Sequence, residues 1–247
     1  MSTMLLALVA GAVVGLALGG LGGSGSMLAV PALTYLLRFT PAEATTAALV
    51  IVTLTSATAL TAHARDGNVA WRTGLLFAAA GIAPAVATGT VSAHLPGTLL
   101  TTAFAVIAAL AALRMLRPAP TETSGRTHPT RAGAAGAGLG AVTGFLGVGG
   151  GFLAVPALVN VLGLPMRRAI GTSLLVITLN SLAALTARAG TGMKLDWATI
   201  APFTAAAILA AHDAKHLAHR LKATTLQRTF AYTLLAVAAL MLADTLI

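Results

Sequence analysis

The chain has 247 residues, of which 57% are hydrophobic and only 9% are charged, with a mean hydropathy of +0.90. A soluble domain carries about 25% charged residues, so this composition excludes one and indicates a protein whose solvent is lipid. The net charge is +9, but the basic residues are scattered at the ends of apolar segments, which excludes a nucleic-acid partner and indicates membrane orientation. The absence of cysteine excludes disulfides, thiolate metal sites and cysteine nucleophiles.

Apolar segments recur along the whole chain, and about 20 apolar residues are enough to cross a hydrocarbon core roughly 30 Å thick. The first, "MLLALVAGAVVGLALGG", has no Lys or Arg before it and no cleavage site after it, so it predicts a membrane helix and not a removable signal peptide. The sequence therefore predicts an all-α polytopic membrane protein. Its predicted segments are 4–20, 26–38, 43–63, 73–94, 98–116, 132–147, 151–164, 168–188, 197–217 and 224–246.

The two halves of the chain repeat one another. "GGSGSMLAVPALTYLLR" at residues 22–38 and "GVGGGFLAVPALVNVLG" at residues 147–163 both place a glycine-rich break before "LAVPAL", at an offset of 125 residues. A single inserted residue then changes the offset to 126, which pairs Trp71 with Trp197. The duplication predicts two transmembrane repeats, 1–117 and 132–247, joined by a solvated cytoplasmic linker, 118–131, that is rich in Pro, Thr and Arg.

The basic residues test how the ten segments cross, because Lys and Arg accumulate on the cytoplasmic side. If all ten segments cross, twelve of the fifteen basic residues share one side, and only Arg38, Arg188 and Lys194 lie on the other. If each glycine break merely interrupts a single crossing, the division is seven against eight. The rule favours ten crossings, or eight crossings with two re-entrant hairpins, and places both termini outside the cytoplasm. Each half then has an odd number of crossings, so the repeats are inverted, as in many secondary transporters.

The glycine breaks are the first candidate substrate site. Irregular backbone at membrane depth is tolerated only where it is buried or lines a cavity, and the helix start after a break offers free N–H groups and a positive dipole end to an anion. The alternative is that these glycines only allow helices to cross closely. The predicted substrate-binding residues of the breaks are Gly22, Gly23, Ser24, Gly25, Ser26, Gly147, Gly149, Gly150 and Gly151.

The third segment of each half is the second candidate, because it is rich in hydroxyls: "TTAALVIVTLTSATALTAH" and "GTSLLVITLNSLAALTAR". Neutral donors can hold an anion that must also be released. Thr55 is equivalent to Asn180, the strongest candidate in this group. The alternative is that the hydroxyls bond back to carbonyls of their own helix. The predicted substrate-binding residues here are Thr53, Ser56, Thr172, Ser173, Asn180 and Ser181.

Five further residues are candidates for gating or coupling. His63 and Arg188 are equivalent residues at the ends of the polar segments, and "AAHDAKHLAHRL" holds His212, Asp213 and Lys215. Such groups can guide an anion or couple a proton, whereas the alternative is that they snorkel to the interface. His212 and His216 have a metal-binding spacing, but a third ligand is not in view, so we predict neither a metal nor another cofactor.

With the paired glycine breaks and "LAVPAL", the "GTSLLVI" run, and the "GNVAW" and "KLDW" approaches to the next helix, nearly the whole chain resembles the TauE/SafE sulfite exporter family. The resemblance implies a permease for a small anion such as sulfite or an organosulfonate in the inner (cytoplasmic) membrane, with the breaks and polar segments as its anion site. Coupling to protons or another ion and a homo-oligomer remain open. Lys215 departs from the small residue usual there, which the first half has at Gly89.

Two other classes compete with a transporter. "GGSG" at residues 22–25 fits the Gly-x-Ser-Gly pattern of rhomboid proteases, with Ser24 as nucleophile and His63 as base. However, the residue equivalent to Ser24 is Gly149, which indicates a repeated backbone role. A non-transporting membrane scaffold is the other alternative, because composition and repeats carry no information about flux.

Overall fold

The computed structural model describes residues 2–22, 24–92, 97–116, 129–146, 151–188, 196–220 and 222–246, which form ten α-helices, one π-helical turn and no strand. The all-α prediction is confirmed. The helices are α1 (Ser2–Leu21), α2 (Ser24–Pro31), α3 (Pro41–Arg65), α4 (Trp71–Ser92), α5 (Gly97–Leu116), α6 (Pro129–Leu146), α7 (Gly151–Asn160), α8 (Met166–Arg188), α9 (Trp197–Arg220) and α10 (Ala223–Leu246), and the π-helical turn (Ala32–Leu36) continues α2. Residues 129–131 of the predicted linker are helical, and the linker residues 118–128 lie outside the described part.

The helices differ in how well they match a bilayer. Within the described residues, three helices are long and apolar enough to cross a membrane, at Thr3–Leu21, Glu43–Arg65 and Met166–Thr186. The two helices that follow the glycine breaks are short, with eight residues in α2 and ten in α7. At 1.5 Å per residue these lengths are about 12 and 15 Å, at most half of the hydrocarbon core. Neither α-helix spans the bilayer by itself.

The start of α3 is fixed by a capping box. The Glu43 backbone N–H donates a hydrogen bond to the Thr40 hydroxyl. In return, the Thr40 backbone N–H donates one to the Glu43 carboxylate, at an N–O distance of 3.1 Å. Pro41 occupies the first helical position, where its missing N–H costs nothing. The polar segment of the first half therefore lies on one continuous helix of 25 residues.

Glycines let α1 and α9 pack backbone to backbone. A Cβ atom on any of three α1 glycines would overlap the backbone of α9. The contacts are Gly11 with Phe203, Gly15 with Ala207 and Gly19 with Ala211. Because the contacts advance by four residues on both helices, α1 and α9 run parallel, with one small-residue row on each.

The same contact occurs between α6 and α4. A Cβ atom on Gly136 would overlap the backbone of Phe77, and one on Gly140 would overlap that of Gly81. These positions match the α1–α9 contacts at the repeat offsets of 125 and 126 residues. Each half thus places its first helix against the fourth helix of the other half.

Helices α3 and α8 cross at the centre of the bundle and run antiparallel. Ser56 meets Thr178, and seven residues further along α3, His63 meets Gly171, seven residues earlier on α8. Buried aliphatic side chains of both helices, such as Ile51 on α3 and Ile177 on α8, surround the crossing. Two helices at equivalent places in the duplicated chain therefore pack against each other in opposite directions.

Three hydrogen bonds join helix ends at one end of the bundle. The His63 ring lies 3.4 Å from the Gly19 carbonyl oxygen, which brings the ends of α3 and α1 together. The Ala70 N–H donates to the Thr172 hydroxyl, joining the start of α4 to the start of α8. The Gln227 amide donates to a carbonyl at the end of α5. The described basic side chains at this end are Arg65, Arg72, Arg114, Arg131, Arg167, Arg168, Lys222 and Arg228, whereas Arg38 lies at the opposite end.

Candidate functional site

The hydroxyls of the two halves meet where α3 crosses α8. The Thr178 hydroxyl lies 2.9 Å from the Ser56 hydroxyl, and Ser56 is fully buried. Ser56 was predicted as a substrate-binding residue, but Thr178 was not. Its equivalence to Thr53, a predicted residue, could have identified it.

Several predicted hydroxyls already donate to their own helix. Thr53 donates to the Leu49 carbonyl (2.6 Å), Ser56 to the Thr53 carbonyl (3.3 Å) and Ser173 to the Ile170 carbonyl (2.7 Å). A hydroxyl has one proton, so each of these can accept a further hydrogen bond but can donate to a ligand only by giving up the present one. For these three residues, back-bonding describes the contacts seen.

Two further predicted residues on α8, Thr172 and Ser181, are buried. The fully buried Thr172 hydroxyl accepts a hydrogen bond of 3.0 Å from the Ala70 N–H, which holds the loop before α4 against α8. Ser181 is also buried and lies three residues after Thr178, on the same face of the helix. Thr172 therefore has a structural role, and Ser181 extends the polar surface of the crossing.

Thr55 and Asn180 retain protons for donation. Thr55 is fully buried, and its hydroxyl has no hydrogen-bond partner among the described residues. Asn180 is half-buried, and its amide makes no hydrogen bond within the described part of the chain. An unpaired buried polar group costs about 1–3 kcal/mol, and a bound water or ion is one explanation for such a group. Sequence equivalence pairs these two positions, although Thr55 was left out of the predicted site.

The first glycine break is tightly packed. Gly22 ends α1 with a φ of +77°, which favours glycine. A Cβ atom there would lie 2.7 Å from the Ser173 hydroxyl oxygen and 3.1 Å from a Val155 methyl group. At Gly25 a Cβ atom would overlap Leu18, so α2 folds back closely along α1. Close packing therefore explains why both residues are glycine, and it places the break against α8 and α7.

Several residues of the predicted site, or their side chains, lie outside the described part of the chain. Gly23, Gly147, Gly149 and Gly150 lie outside the described residues. Gly151 is the first residue of α7. Ser24 and Ser26 lie on α2, Arg188 ends α8 and Lys215 lies on α9, and the side chains of these four residues are outside the described part.

Comparison with known proteins identifies the kind of molecule in which this site lies. The family model described as Sulfite exporter TauE/SafE matches residues 7–241. The chain belongs to the TauE/SafE sulfite exporter family. Two relatives, from Xylella fastidiosa strains 9a5c and Temecula1, are each named "Probable membrane transporter protein". Each is 36% identical over 182 residues, which covers 71% of this chain and 70% of the relative.

A member of the TauE/SafE family is a membrane transporter and not an enzyme. The protease alternative, with Ser24 as nucleophile and His63 as base, is therefore wrong. In this TauE/SafE protein His63 is buried, with Nε2 3.4 Å from the Gly19 carbonyl oxygen and its Cβ beside Gly171. It lies where α1, α3 and α8 meet, just before the break at Gly22.

The remaining gating candidates of this TauE/SafE protein lie on α9. His212 and Asp213 are both exposed, because the row of α9 that packs on α1 runs through Phe203, Ala207 and Ala211. Lys215 is the next residue of that row and follows Ala211 by one turn, so the helix register places it beyond Gly19, on the side where α1 ends. Among the described residues, no group of three His, Asp or Glu residues could hold a metal ion.

Proposed function

We propose that this transporter moves a small anion, such as sulfite or an organosulfonate, across the inner (cytoplasmic) membrane, and that the anion binds at the α3–α8 crossing. The observation that carries the proposal is the pair Thr55 and Asn180. They occupy equivalent positions in the two halves, and neither side chain makes a hydrogen bond within the described residues. The family match supports transport, and the donor chemistry supports an anion.

Neutral donors suit a substrate that must be released. Hydrogen bonds to charged groups contribute about 1.5–3 kcal/mol each, so a few hydroxyl and amide donors hold an oxyanion with moderate affinity. A buried lysine or arginine at the same place would bind more tightly and slow release, whereas multi-step transport needs sites of limited strength. Ser56, Thr178 and Ser181 border this site, and each can offer a hydroxyl after a change of rotamer.

The proposed mechanism is alternating access between two inverted repeats. The antiparallel crossing of the equivalent helices α3 and α8 supports the inversion, and so does the glycine contact that each half makes with the other. In such transporters the half-helices that begin at breaks point their positive ends towards the substrate. We assign this role to the two breaks, residues 22–26 and 147–151.

The basic end of the bundle is the cytoplasmic side in this proposal. Eight described basic side chains lie at that end and Arg38 lies at the other, as the excess of Lys and Arg on cytoplasmic loops requires. Helix α1 begins and α10 ends at the sparsely charged end, so both termini lie outside the cytoplasm. His63 and Lys215 then lie on the cytoplasmic side of the crossing, where Lys215 attracts the anion and His63 is the candidate for proton coupling.

A ligand screen by thermal shift tests the proposal. The purified protein is heated with sulfite, methanesulfonate, taurine, thiosulfate, acetate or chloride at equal ionic strength. A ligand present at 100 times its dissociation constant stabilises the folded protein by about 2.7 kcal/mol, so sulfite or a sulfonate should raise the melting temperature clearly. Asn180→Leu should abolish the shift. Thr58→Val is the control, because the Thr58 hydroxyl is exposed and bonds to its own helix.

The proposal fails if none of the sulfur oxyanions shifts the melting temperature. It also fails in its choice of site if Asn180→Leu shows the same ligand shift as the wild-type protein. A shift with acetate alone would replace the sulfur oxyanion by a carboxylate as the substrate class.

A further inference from the structure

An open apolar groove runs along the outside of the bundle between α1 and the segment formed by α2 and the π-helical turn. Its volume is about 370 Å³. Its lining is aliphatic except for Tyr35, and on α1 it extends from Leu6 to Val14. Leu6 and Val14 are eight positions apart, which corresponds to a rise of about 12 Å along α1, close to the depth of one leaflet of a hydrocarbon core roughly 30 Å thick.

The π-helical turn beside the groove is present in the first half of the chain and has no counterpart at the equivalent residues of the second half. Pro31 has no N–H to donate, and the chain after it widens into the π-helical turn at Ala32–Leu36. The equivalent proline, Pro156, lies inside α7, which stays α-helical to Asn160. The duplicated sequence thus forms a regular helix in one half and a widened helix beside a groove in the other.

Arg38 follows the groove in a conformation that side chains rarely adopt. Its φ is +58°, and in the second half the equivalent residue is Gly163 with a φ of +65°. The turn has the same backbone hydrogen bond in both halves. The Phe39 N–H donates to the Leu33 carbonyl oxygen (3.1 Å), and the equivalent Leu164 N–H donates to the Leu158 carbonyl oxygen (3.0 Å). Glycine meets this backbone geometry without strain, whereas an arginine there is strained.

No contact with the described residues explains the arginine. Arg38 is exposed and makes no ion pair or side-chain hydrogen bond with any residue that the structure describes. Residues with strained backbones cluster at active sites, ligand clamps and switch regions. Leu36, which lines the groove, is two residues away, so the two Cα atoms are at most about 8 Å apart. Arg38, which has no partner among the described residues, therefore lies at the mouth of the groove.

We propose that the groove and Arg38 form a binding site for an anionic phospholipid. One acyl chain lies in the groove along α1, and the phosphate binds the Arg38 guanidinium, whose paired donors match phosphate oxygens. Tyr35, at the same end, is 67% exposed, as is common for tyrosine at headgroup level. With the orientation proposed above, the lipid belongs to the outer leaflet.

Charge favours a lipid over a second copy of the chain as the occupant. A two-fold dimer with its axis along the membrane normal uses the same patch on both subunits. It would bring the two Arg38 side chains close together at one depth, and like charges across an interface are unfavourable. A phospholipid instead supplies an acyl chain that fits the apolar groove and a phosphate that neutralises Arg38.

The test measures lipid binding to delipidated protein in detergent, by thermal shift and by native mass spectrometry with phosphatidylglycerol. Arg38→Gly removes the cation and leaves a turn that Gly163 already forms, so this variant should fold. Ala32→Phe fills the groove. Val86→Phe is the control, because Val86 is exposed on α4, away from the groove. Wild type and Val86→Phe should bind the lipid, and the other two variants should bind it at least tenfold more weakly.

Three results would overturn the proposal. The first is wild-type lipid affinity in folded Arg38→Gly, which decides the matter even if Ala32→Phe does not fold. The second is an equal thermal shift with glycerol phosphate alone, which would remove the role of the groove. The third is a dimer of the wild-type protein that Ala32→Phe converts to a monomer, with lipid binding by this variant unchanged. This result would make the groove an interface between two copies of the chain. All three measurements are made without a transported anion, so they are independent of the proposed function.

Discussion

Replacing Thr55 by valine should raise stability and lower transport at the same time. Valine has nearly the shape of threonine and lacks only the hydroxyl, which is fully buried and has no partner among the described residues. In the empty transporter the unpaired hydroxyl lowers the free energy of unfolding. If it donates a hydrogen bond to the anion, the same hydroxyl strengthens substrate binding.

The size of both effects follows from the state of this one group. An unpaired buried polar group costs about 1–3 kcal/mol, so Thr55→Val should stabilise the ligand-free protein by about 1 kcal/mol or more. A hydrogen bond to a charged ligand contributes about 1.5–3 kcal/mol, and 1.4 kcal/mol is a factor of about ten in affinity. The KM for the anion should therefore rise by roughly 10- to 100-fold.

The assay combines thermal unfolding in detergent with initial rates of anion uptake into proteoliposomes over a range of substrate concentrations. Thr58→Val serves as the control, because the Thr58 hydroxyl donates to carbonyls of α3 and faces outward. It should change stability by less than about 0.5 kcal/mol and leave KM unchanged. A lower unfolding temperature for Thr55→Val would show that the hydroxyl is bonded in the empty protein, and uptake kinetics equal to those of the wild type would show that it does not donate to the anion. Either result contradicts the prediction.

Two further predictions concern packing. Gly15→Ala should destabilise the protein by about 1–3 kcal/mol, because its Cβ would overlap the Ala207 backbone. Gly138 has open space around it, so Gly138→Ala should be neutral or stabilise the protein by up to about 1 kcal/mol. Equal unfolding temperatures in the two variants would contradict the helix register. A double-mutant cycle of Ser56→Ala with Thr178→Val should give a coupling energy of about 0.6 kcal/mol, the average for hydrogen bonds between membrane helices, and strict additivity would show that the two hydroxyls do not interact.

The duplicated sequence shows what sequence reasoning can supply. Composition and the repeat were enough to predict an all-α membrane protein. The structure adds that Gly11 and Gly136, which are 125 residues apart, make equivalent contacts. The family assignment is confirmed as well. These features depend on residue type and spacing along the chain, which the sequence shows directly.

The individual site residues depended on information that spacing does not hold. A run of hydroxyls does not show which of them bonds back to its own helix, so Thr53 and Thr55 look alike until the contacts of each are known. Likewise, His212 is one position away from Ala211 on α9, and a rotation of about 100° per residue turns it from the packed row to an exposed face. The roles of the glycine breaks, Arg188 and Lys215 stay predictions.

The π-helical turn was also beyond sequence reasoning. Both repeats contain "LAVPAL", yet Pro31 precedes a π-helical turn and Pro156 lies in an α-helix. The six identical residues around each proline leave both outcomes open, because the same local sequence adopts both conformations in this chain. Arg38 in place of the equivalent Gly163 was visible in the sequence, but its meaning required the positive φ.

Sulfite uptake into proteoliposomes, measured under anaerobic conditions for wild type, Thr55→Val, Asn180→Leu and the double variant, tests most directly whether the anion binds at the α3–α8 crossing. We predict saturable uptake in the wild type, inhibition by a competing sulfonate, a large rise in KM in each single variant and no saturable uptake in the double variant. Saturable uptake with unchanged KM in the folded double variant would contradict this account.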